Sequence, residues 1–348
     1  MVVDASGTFA GRPVSWGVTR ASAAKPIEWL GSPPGNVWLR AQGQSETSQP
    51  GQTLPVLAFY RANRHWNTPQ NNELAAATQK YSRADGYRNY WDASTDSGVL
   101  NTWVISKCLE RFQVSSETGI AFDDVHDDEL ALVNSAISNA IEEAEGVKYD
   151  MREKSLLVEW KQPALSERRP TIFENLSDGQ KAIIGLISDI ARRICLLNPH
   201  LGQEVMTQTP GIVLIDELDM HLHPKWQRSL TRGLQAAFPS VQFIVASHSP
   251  QILSEMQPEQ IIVLTAGSAS NPQVSYGLDS SAVLEEIMDA SARPTEIKGD
   301  LEQLFAALER NELDAARQML ANLRNNAPGI ADLNRAEALL KREEVLGR

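Results

Sequence analysis

The amino-acid sequence predicts an α/β fold in which helices flank a parallel sheet. Two apolar runs, Gly211–Ile215 and Val241–Ala246, alternate with two amphipathic stretches, Gly179–Leu197 and Pro224–Phe238. Strands that are apolar on both faces and alternate with helices are typical of a parallel sheet covered by helices. A third apolar run, Gln260–Leu264, is predicted to be a further strand of this kind.

The N-terminal region predicts an antiparallel sub-sheet. Residues 1–60 are rich in Gly, Pro, Ser and Gln and contain three short β-favouring runs, Pro13–Val18, Asn36–Ala41 and Pro55–Tyr60. Short runs of this kind, separated by turn residues, are typical of edge strands joined by loops. An aromatic-rich segment with many turn residues follows as far as residue 100.

Residues 101–150 predict a helical insertion, and the C-terminus predicts a helical appendage. Within the insertion, Asn101–Phe112 and Asp127–Glu145 have the spacing of amphipathic helices. The pattern returns to a strand at Ser155–Trp160. The tail, Thr295–Gly347, contains three amphipathic stretches and therefore predicts three helices.

Composition indicates a reduced, cytoplasmic protein with no membrane partner. No apolar run is long enough to span a bilayer, and the N-terminus lacks the charged and apolar regions of a signal peptide. The two cysteines, Cys108 and Cys195, are far apart and have no metal-ligand spacing. The net charge of −12 excludes a broadly basic surface but allows a local basic groove for nucleic acid.

An acidic pair follows the first apolar strand directly. Asp216 and Glu217 come after Ile215, and ligands of open α/β sheets bind at the carboxyl ends of the strands. An aspartate there can hold Mg²⁺, which prefers oxygen ligands, and a neighbouring glutamate can orient or deprotonate an attacking water. Taken alone, a strand that ends in Asp-Glu is as compatible with a structural role as with a catalytic one.

Two further patterns lie on either side of this pair. Ser177, Gly179 and Gln180 open the helix before the acidic strand, and a helix N-terminus with a hydroxyl and a glycine suits an anion. His248 follows the next apolar strand and can donate a hydrogen bond to a phosphate oxygen. Each pattern is weak by itself, and an isolated histidine is more often structural.

The order and spacing of these patterns resemble the motif set of ABC-type (SMC/RecF-like) ATPases. Leu176–Gln180 resembles the signature motif, although Asp178 stands where the first glycine of the usual pair would be. Asp216–Glu217 resembles the Walker B pair, Leu218-Asp219 the D-loop and His248 the switch histidine. The fold implied is an ABC-ATPase head.

The resemblance also implies a role for each site residue. Asp216 would bind Mg²⁺, Glu217 would be the catalytic base, and His248 would act beside it. ATP would be bound by the remaining residues, which are Ser177, Gly179, Gln180 and Asp219. Ser177 and Gly179 would contact the γ-phosphate of ATP held by an opposing subunit, so the resemblance implies ATP and Mg²⁺ as cofactors and a homodimer or higher oligomer.

The sequence around these motifs narrows the resemblance to predicted ATP-binding proteins of the AAA family that include Septu-type PtuA ATPases. The segments that carry it are Leu218–Gln227, Pro55–Tyr60, Asn63–Trp66, Ser82–Tyr87 and Arg335–Ala338. This group implies anti-phage defence or another DNA transaction, with an HNH-type nuclease as a partner and nucleic acid as a possible ligand. A transporter ATPase fits less well, because no membrane-coupling context is present.

The resemblance divides the chain into four parts. Residues 1–100 correspond to a partial N-terminal ATPase lobe and 101–150 to the helical insertion. Residues 151–290 correspond to a C-terminal lobe that carries the signature, Walker B, D-loop and switch histidine. Residues 291–348 form the helical tail.

One motif of the family is missing. No Gly-x-x-x-x-Gly-Lys-Ser/Thr phosphate-binding loop occurs in the sequence. Three explanations are open. The gene model starts too late or the gene is truncated; the loop is supplied by another chain; or the protein is a degenerate homologue. The first is favoured, because disuse would be expected to erode Glu217 or His248. The alternative function is a scaffold or regulatory subunit that does not hydrolyse ATP.

A metal-site interpretation of His221 and His223 is also open. The two histidines form a His-x-His pair close to Asp219. No third ligand follows at a helical or hairpin offset, so a position in the turn after the D-loop is favoured.

Overall fold

The computed structural model describes residues 2–9, 12–19, 28–31, 51–62, 73–95, 97–161 and 169–346. The chain divides into two compact units, Met1–Ile252 and Leu253–Arg348. Within the described residues, no helix combines the length and the apolar character needed to cross a bilayer.

The first unit contains three sheets. Its strands are β1 (Val2–Phe9), β2 (Arg12–Thr19), β3 (Glu28–Gly31), β4 (Val56–Tyr60), β5 (Ala144–Asp150), β6 (Ser155–Trp160), β7 (Thr171–Ile172), β8 (Gly211–Ile215) and β9 (Val241–Val245). Strands β1, β2 and β3 form one antiparallel sheet, and β5, β6 and β7 form another. Strands β4, β8 and β9 form a parallel sheet with β8 in the middle.

Helices lie between several of these strands along the chain. They are α1 (Glu73–Thr78), α2 (Ser97–Thr118), α3 (Glu129–Ala140), α4 (Asp178–Leu197), α5 (Val205–Gln208), α6 (Pro224–Ala237) and α7 (Pro250–Leu253), the last of which spans the boundary between the units. Short 3₁₀ helices lie at Arg83–Tyr87, Tyr90–Thr95, Phe122–Asp124, Phe173–Asn175 and Pro199–Glu204.

The second unit contains its own apolar core. It consists of the 3₁₀ helix Pro258–Gln260, the hairpin of β10 (Val263–Thr265) and β11 (Ser268–Ser270), and the helices α8 (Ser280–Glu286), α9 (Thr295–Glu309), α10 (Leu313–Asn326) and α11 (Asp332–Leu346). Helices α9, α10 and α11 bury leucines and alanines against one another. The prediction of three tail helices is therefore confirmed.

The parallel sheet is in register along its whole length. Tyr60 lies opposite Ile215, and Ile215 lies opposite Val245, so the carboxyl ends of β4, β8 and β9 meet at one edge. One face is buried in the main core, as Val213 shows, whereas Ile212 and Ile244 on the other face are 41% and 49% exposed. The described helices therefore cover one face of this sheet well and the other only in part.

Two strand predictions were wrong about pairing. The sequence predicts that Pro55–Tyr60 belongs to the antiparallel sub-sheet, but Val56–Tyr60 pairs parallel with β8. Gln260–Leu264 was assigned to the parallel sheet, but its strand, Val263–Thr265, pairs antiparallel with β11 and leaves Leu264 79% exposed. A short apolar run shows that a strand is present but carries no local signal for its partner. The predicted strand Asn36–Ala41 lies outside the described residues.

Helix predictions were more accurate, although α2 (Ser97–Thr118) extends beyond the predicted Asn101–Phe112 and another helix ends early. The helices predicted at Gly179–Leu197 and Pro224–Phe238 correspond to α4 and α6 within one residue at either end. The helix predicted at Asp127–Glu145 stops at Ala140, and residues 144–150 turn back as β5. The Asn134 side chain fixes this reversal, because its amide bonds both the N–H and the carbonyl of Val147 at 2.9 and 3.2 Å.

A buried ion cluster fixes α4 against β4. Asp189 is fully buried, and its two oxygens accept hydrogen bonds from Arg192 at 2.6 Å, Arg193 at 2.7 Å and the Tyr60 hydroxyl at 2.8 Å. Burial alone would raise the pKa of Asp189, but the Arg193 and Arg192 guanidinium groups outweigh it and hold that pKa below its ordinary value. Burial and the Asp189 charge together raise the pKa of Tyr60, which therefore stays a donor. Arg193 also donates to the carbonyls of Gly86 and Arg88.

We expect Asp189→Asn to destabilise the first unit by about 3–5 kcal/mol, because it leaves two buried guanidinium groups without a counter-ion. Denaturant unfolding of both variants measures this loss. The matched control is Asp178→Asn at the exposed start of the same helix, where the side chain is 85% exposed and a change below about 1 kcal/mol is expected. A loss for Asp189→Asn no larger than that of the control would show that the cluster does not stabilise the fold.

Candidate functional site

The acidic pair lies at the carboxyl edge of the parallel sheet, where the sequence predicted it. The Asp216 N–H donates to the Tyr60 carbonyl at 2.9 Å and so continues the ladder one residue beyond β8. Asp216 is partly buried, and Glu217 is exposed. Two carboxylates are thus held at the edge where strands β4, β8 and β9 end.

Glu217 has an unusual backbone conformation. Its φ of 47° lies in the left-handed region, which costs a residue with a Cβ atom about 1–2 kcal/mol. The next residue is anchored, because the Leu218 N–H donates to the Ala246 carbonyl at 3.1 Å. The glutamate in this strained turn is exposed. Strain of this kind is concentrated at functional sites.

The predicted signature segment forms the N-terminal cap of α4. The Ser177 hydroxyl accepts a hydrogen bond from the Gln180 N–H at 3.3 Å, and the Gln180 side-chain oxygen accepts one from the Ser177 N–H at 3.0 Å. This reciprocal pair is a capping box. Ser177 is exposed, so its hydroxyl is accessible. The oxygen of Gln180, a predicted ATP contact, is already engaged in this cap.

Gly179 brings the cap of α4 against the loop after β8. A Cβ atom built on Gly179 would lie 2.1 Å from the His221 carbonyl oxygen and 3.3 Å from the Leu222 Cα. No side chain fits there unless the backbone moves. The glycine is therefore required by close packing between two segments of this chain, which is a structural reason for a residue predicted to contact ATP.

Asp219 joins the loop after β8 to the loop after β9. Its carboxylate accepts a hydrogen bond from the Ser247 hydroxyl at 2.6 Å. The adjacent His248 is exposed and has no hydrogen-bond partner among the residues that the structure describes. Asp219 thus acts within the subunit by holding the segment that presents His248.

A cavity of about 630 Å³ contains one group of the predicted residues. Its walls include Trp160, Arg169, Ser177, Gly179, Gln180, His221, His223 and Trp226. The other group, Asp216, Glu217, Asp219 and His248, does not line it. The structure therefore places the predicted residues in two neighbouring sets, both of which border the loop of residues 216–223.

Within the part of the chain that the structure describes, the acidic pair has no preformed metal cluster around it. Among the described residues, no group of three or more histidine, cysteine, aspartate or glutamate side chains is arranged to hold an ion. His223 uses its Nδ1 atom to accept a hydrogen bond from the Lys225 N–H at 3.3 Å and thereby caps α6. Mg²⁺ commonly needs only one or two carboxylates, with water and phosphate oxygens as its other ligands. A single aspartate at this edge fits that chemistry.

Two residues of the site carried no recognisable functional signal in the sequence. Tyr60 binds Asp189 through its hydroxyl and Asp216 through its carbonyl. Gln227 bonds both of the loops that carry predicted site residues. The only available sign for Gln227 was its place in the Leu218–Gln227 stretch, which supported the family resemblance without indicating a role.

Comparisons with known proteins identify a family model and several relatives that this chain resembles. Residues 115–254 match the family model described as AAA domain, putative AbiEii toxin, Type IV TA system. The Retron Vc95 probable ATPase of Vibrio cholerae is 27% identical over 79% of this chain and 62% of its own length. The Septu protein PtuA of Bacillus thuringiensis is 30% identical over 40% of this chain and 38% of its own length.

One further relative matches a shorter part of the chain, and one solved structure matches at low sequence identity. The Retron Ec83 probable ATPase of Escherichia coli is 44% identical over 35% of this chain and 22% of its own length. Among solved structures, the SMC head domain from Thermotoga maritima aligns with 77% of this chain and 72% of its own at 13% identity, with a TM-score of 0.34. The chain thus spans less than two thirds of the curated relatives that it matches. The similarity to the two retron ATPases and to PtuA confirms that the chain resembles the predicted ABC-type ATPases that include Septu PtuA.

Proposed function

We propose that this chain is the ATP-binding and ATP-hydrolysing subunit of an ABC-type ATPase. The observation that carries the proposal is the loop of residues 216–223. It bears the acidic pair, contacts the cap of α4 at Gly179 and is bonded to the His248 segment through Asp219. The names of the retron relatives, which are given as probable ATPases, support the same activity.

The residues at the sheet edge fit the acidic half of a nucleotide site. Asp216 is partly buried and supplies the oxygen ligand that Mg²⁺ prefers, and the bound ion would neutralise charge on the phosphates. Glu217 would accept a proton from the water whose oxygen attacks the γ-phosphorus, while the bond to the ADP oxygen breaks. His248 would donate a hydrogen bond to a γ-phosphate oxygen. The phosphate-binding loop that such a site needs has no counterpart in these 348 residues.

The separation of the two sets of residues supports a dimer. Ser177 and Gly179 line a cavity that the acidic site residues, Asp216, Glu217 and Asp219, do not border. In the arrangement implied by the ABC resemblance, each set acts on a different nucleotide, and the cap of α4 meets ATP held by a second copy. A homodimer closed by ATP therefore accommodates both sets, whereas a single nucleotide bound by one copy would use only one of them.

We expect Glu217→Gln to lower the rate of phosphate release by about 10²–10³-fold, because the amide cannot accept the proton of the attacking water. The measurement is ATP turnover and ATP binding by the protein purified from its native source. The exposed Glu145 provides a matched control, since Glu145→Gln should leave turnover unchanged. Equal turnover in Glu217→Gln and wild type would contradict the catalytic role. ATP binding without turnover in the wild type would favour the scaffold.

We expect Gly179→Ala to lower the free energy of unfolding of the first unit by about 1–3 kcal/mol and to slow ATP hydrolysis. The reason is that the new Cβ atom collides with the backbone at His221. Thermal unfolding and phosphate release measure the two effects. Gly299→Ala is the contrasting control: among the described residues, nothing but the backbone of its own helix lies within 4 Å of its Cβ position in α9. Alanine should therefore stabilise that helix by about 0.5–1 kcal/mol. A harmless Gly179→Ala would show that the close approach is not needed.

ATP should convert the Glu217→Gln variant from monomer to dimer, because slow hydrolysis prolongs the closed state. Light scattering after gel filtration, with and without ATP and Mg²⁺, measures the mass. Glu145→Gln again serves as the control and should dimerise only transiently. A Glu217→Gln variant that binds ATP yet keeps one mass throughout would contradict the ATP-sandwich arrangement.

The wider role that we propose is anti-phage defence in the cytoplasm, with an HNH-type nuclease as a partner and nucleic acid as a ligand. It rests on similarity to the Septu protein PtuA and the retron ATPases. Phage plating on cells that carry the native operon tests it, with Glu217→Gln compared with Glu145→Gln. If cells with Glu217→Gln remained protected from phage, ATP hydrolysis by this chain would not be needed for defence.

A further inference from the structure

Gln227 lies in the first turn of α6 and uses both ends of its side-chain amide. The Nε2 atom donates to the Leu222 carbonyl at 3.0 Å and to the Asp219 carbonyl at 3.3 Å. The Oε1 atom accepts a hydrogen bond from the Ser249 hydroxyl at 2.8 Å. With two donor bonds and one acceptor bond made, the orientation of the amide group is determined.

The hydrogen-bond partners of the Gln227 nitrogen and oxygen belong to different loops. Asp219 and Leu222 lie in the loop after β8, which carries Asp216 and Glu217. Ser249 lies in the loop after β9, directly beside His248. A single side chain from a third element therefore connects the two segments that carry the proposed catalytic residues.

The Ser249 end of the connection is itself well anchored. Ser249 is 4% exposed, and its hydroxyl oxygen accepts hydrogen bonds from the N–H groups of Gln251 and Ile252 at 3.1 and 3.3 Å. The Ser249 N–H in turn donates to the Ser247 hydroxyl at 3.1 Å. The bridge thus ends at a turn that has its own hydrogen bonds to neighbouring backbone, directly beside His248.

We propose that Gln227 is a positioning residue that holds the loop bearing Asp216 and Glu217 at a fixed distance from the loop bearing His248. It touches none of the reacting groups and is not catalytic. The inference rests on the proposed function for its significance, while the bridge itself can be tested without ATP. Glutamine is required because the bridge needs a donor for two carbonyls and an acceptor for one hydroxyl.

Other side chains at this position cannot make the same set of bonds. An ionised glutamate retains the acceptor for Ser249 but turns a carboxylate oxygen toward the carbonyls of Asp219 and Leu222. Leucine has nearly the same volume but makes none of the three bonds. Gln227→Glu therefore breaks one side of the bridge, and Gln227→Leu breaks both.

Amide hydrogen exchange measured by mass spectrometry tests the bridge directly. In Gln227→Leu we expect exchange to rise about tenfold in residues 218–222 and also in residues 249–252, because local opening becomes easier in both loops. In Gln227→Glu, exchange should rise more in residues 218–222 than in residues 249–252, because the bond to Ser249 is kept. Gln235→Leu, an exposed glutamine on the same helix, is the matched control and should change neither segment. A rise in only one loop with Gln227→Leu, or in neither, would overturn the proposal.

Turnover separates this inference from the proposed function. In both Gln227 variants we expect kcat for ATP hydrolysis to fall about tenfold while KM for ATP changes less than about threefold, because bound ATP is kept but the catalytic groups lose their spacing. Unchanged kcat with loosened loops would overturn the positioning role. A wild type that shows no turnover would refute hydrolysis, and the exchange experiment would still decide whether the bridge exists.

Discussion

The buried carboxylate of Asp189 is the interaction on which the arrangement of the site depends. It lies on α4 between two guanidinium groups and the Tyr60 hydroxyl, all inside the core. Apolar side chains tolerate small shifts between helices, whereas a buried charge that loses a partner is strongly penalised. The cluster therefore fixes how far α4 can slide along β4. Tyr60 extends this constraint, because its carbonyl accepts the Asp216 N–H at 2.9 Å. Tyr60 thus ties α4 to β4 and also ties to β4 the loop of residues 216–223, the acidic loop.

This tie has consequences at the other end of the helix. Helix α4 spans Asp178–Leu197, so its N-terminal cap and Asp189 belong to one continuous helix. At that cap, Gly179 lies so close to His221 that no Cβ atom fits between them. The acidic loop is therefore held from two directions, by the backbone of Tyr60 at its start and by the cap of α4 at its middle. Hydrogen bonds from Ser247 and Gln227 hold it from a third. A displacement at any of these points must be shared by the others.

Patterns local in sequence predicted much of this architecture. The order of strands and helices, the cap at Ser177 and the position of Asp216, Glu217 and His248 after their strands all follow from periodicity and from what strand ends do in α/β sheets. Pairing did not follow, because Val56–Tyr60 looks the same whether its neighbour is β8 or another strand of the sub-sheet. The ion cluster also escaped prediction, since Asp189, Arg192 and Arg193 have the spacing of ordinary exposed i, i+3 and i+4 pairs. Only the tertiary fold, which brings Tyr60 across from 129 residues away, shows that they are buried.

The difference between local pattern and tertiary contact also divides the predicted site residues into two groups. Glu217 and His248 are exposed at the sheet edge, where a ligand can reach them. Gly179, Gln180 and Asp219, by contrast, already have close contacts within their own subunit, at His221, Ser177 and Ser247 respectively. Any contact that this second group makes with a nucleotide must coexist with those bonds or replace them. If a ligand at the cap of α4 replaced the bond between Gln180 and Ser177, the adjoining contact of Gly179 would carry that change to the acidic loop. Ligand contact at the cap and the geometry of the acidic pair are thus physically coupled within one subunit.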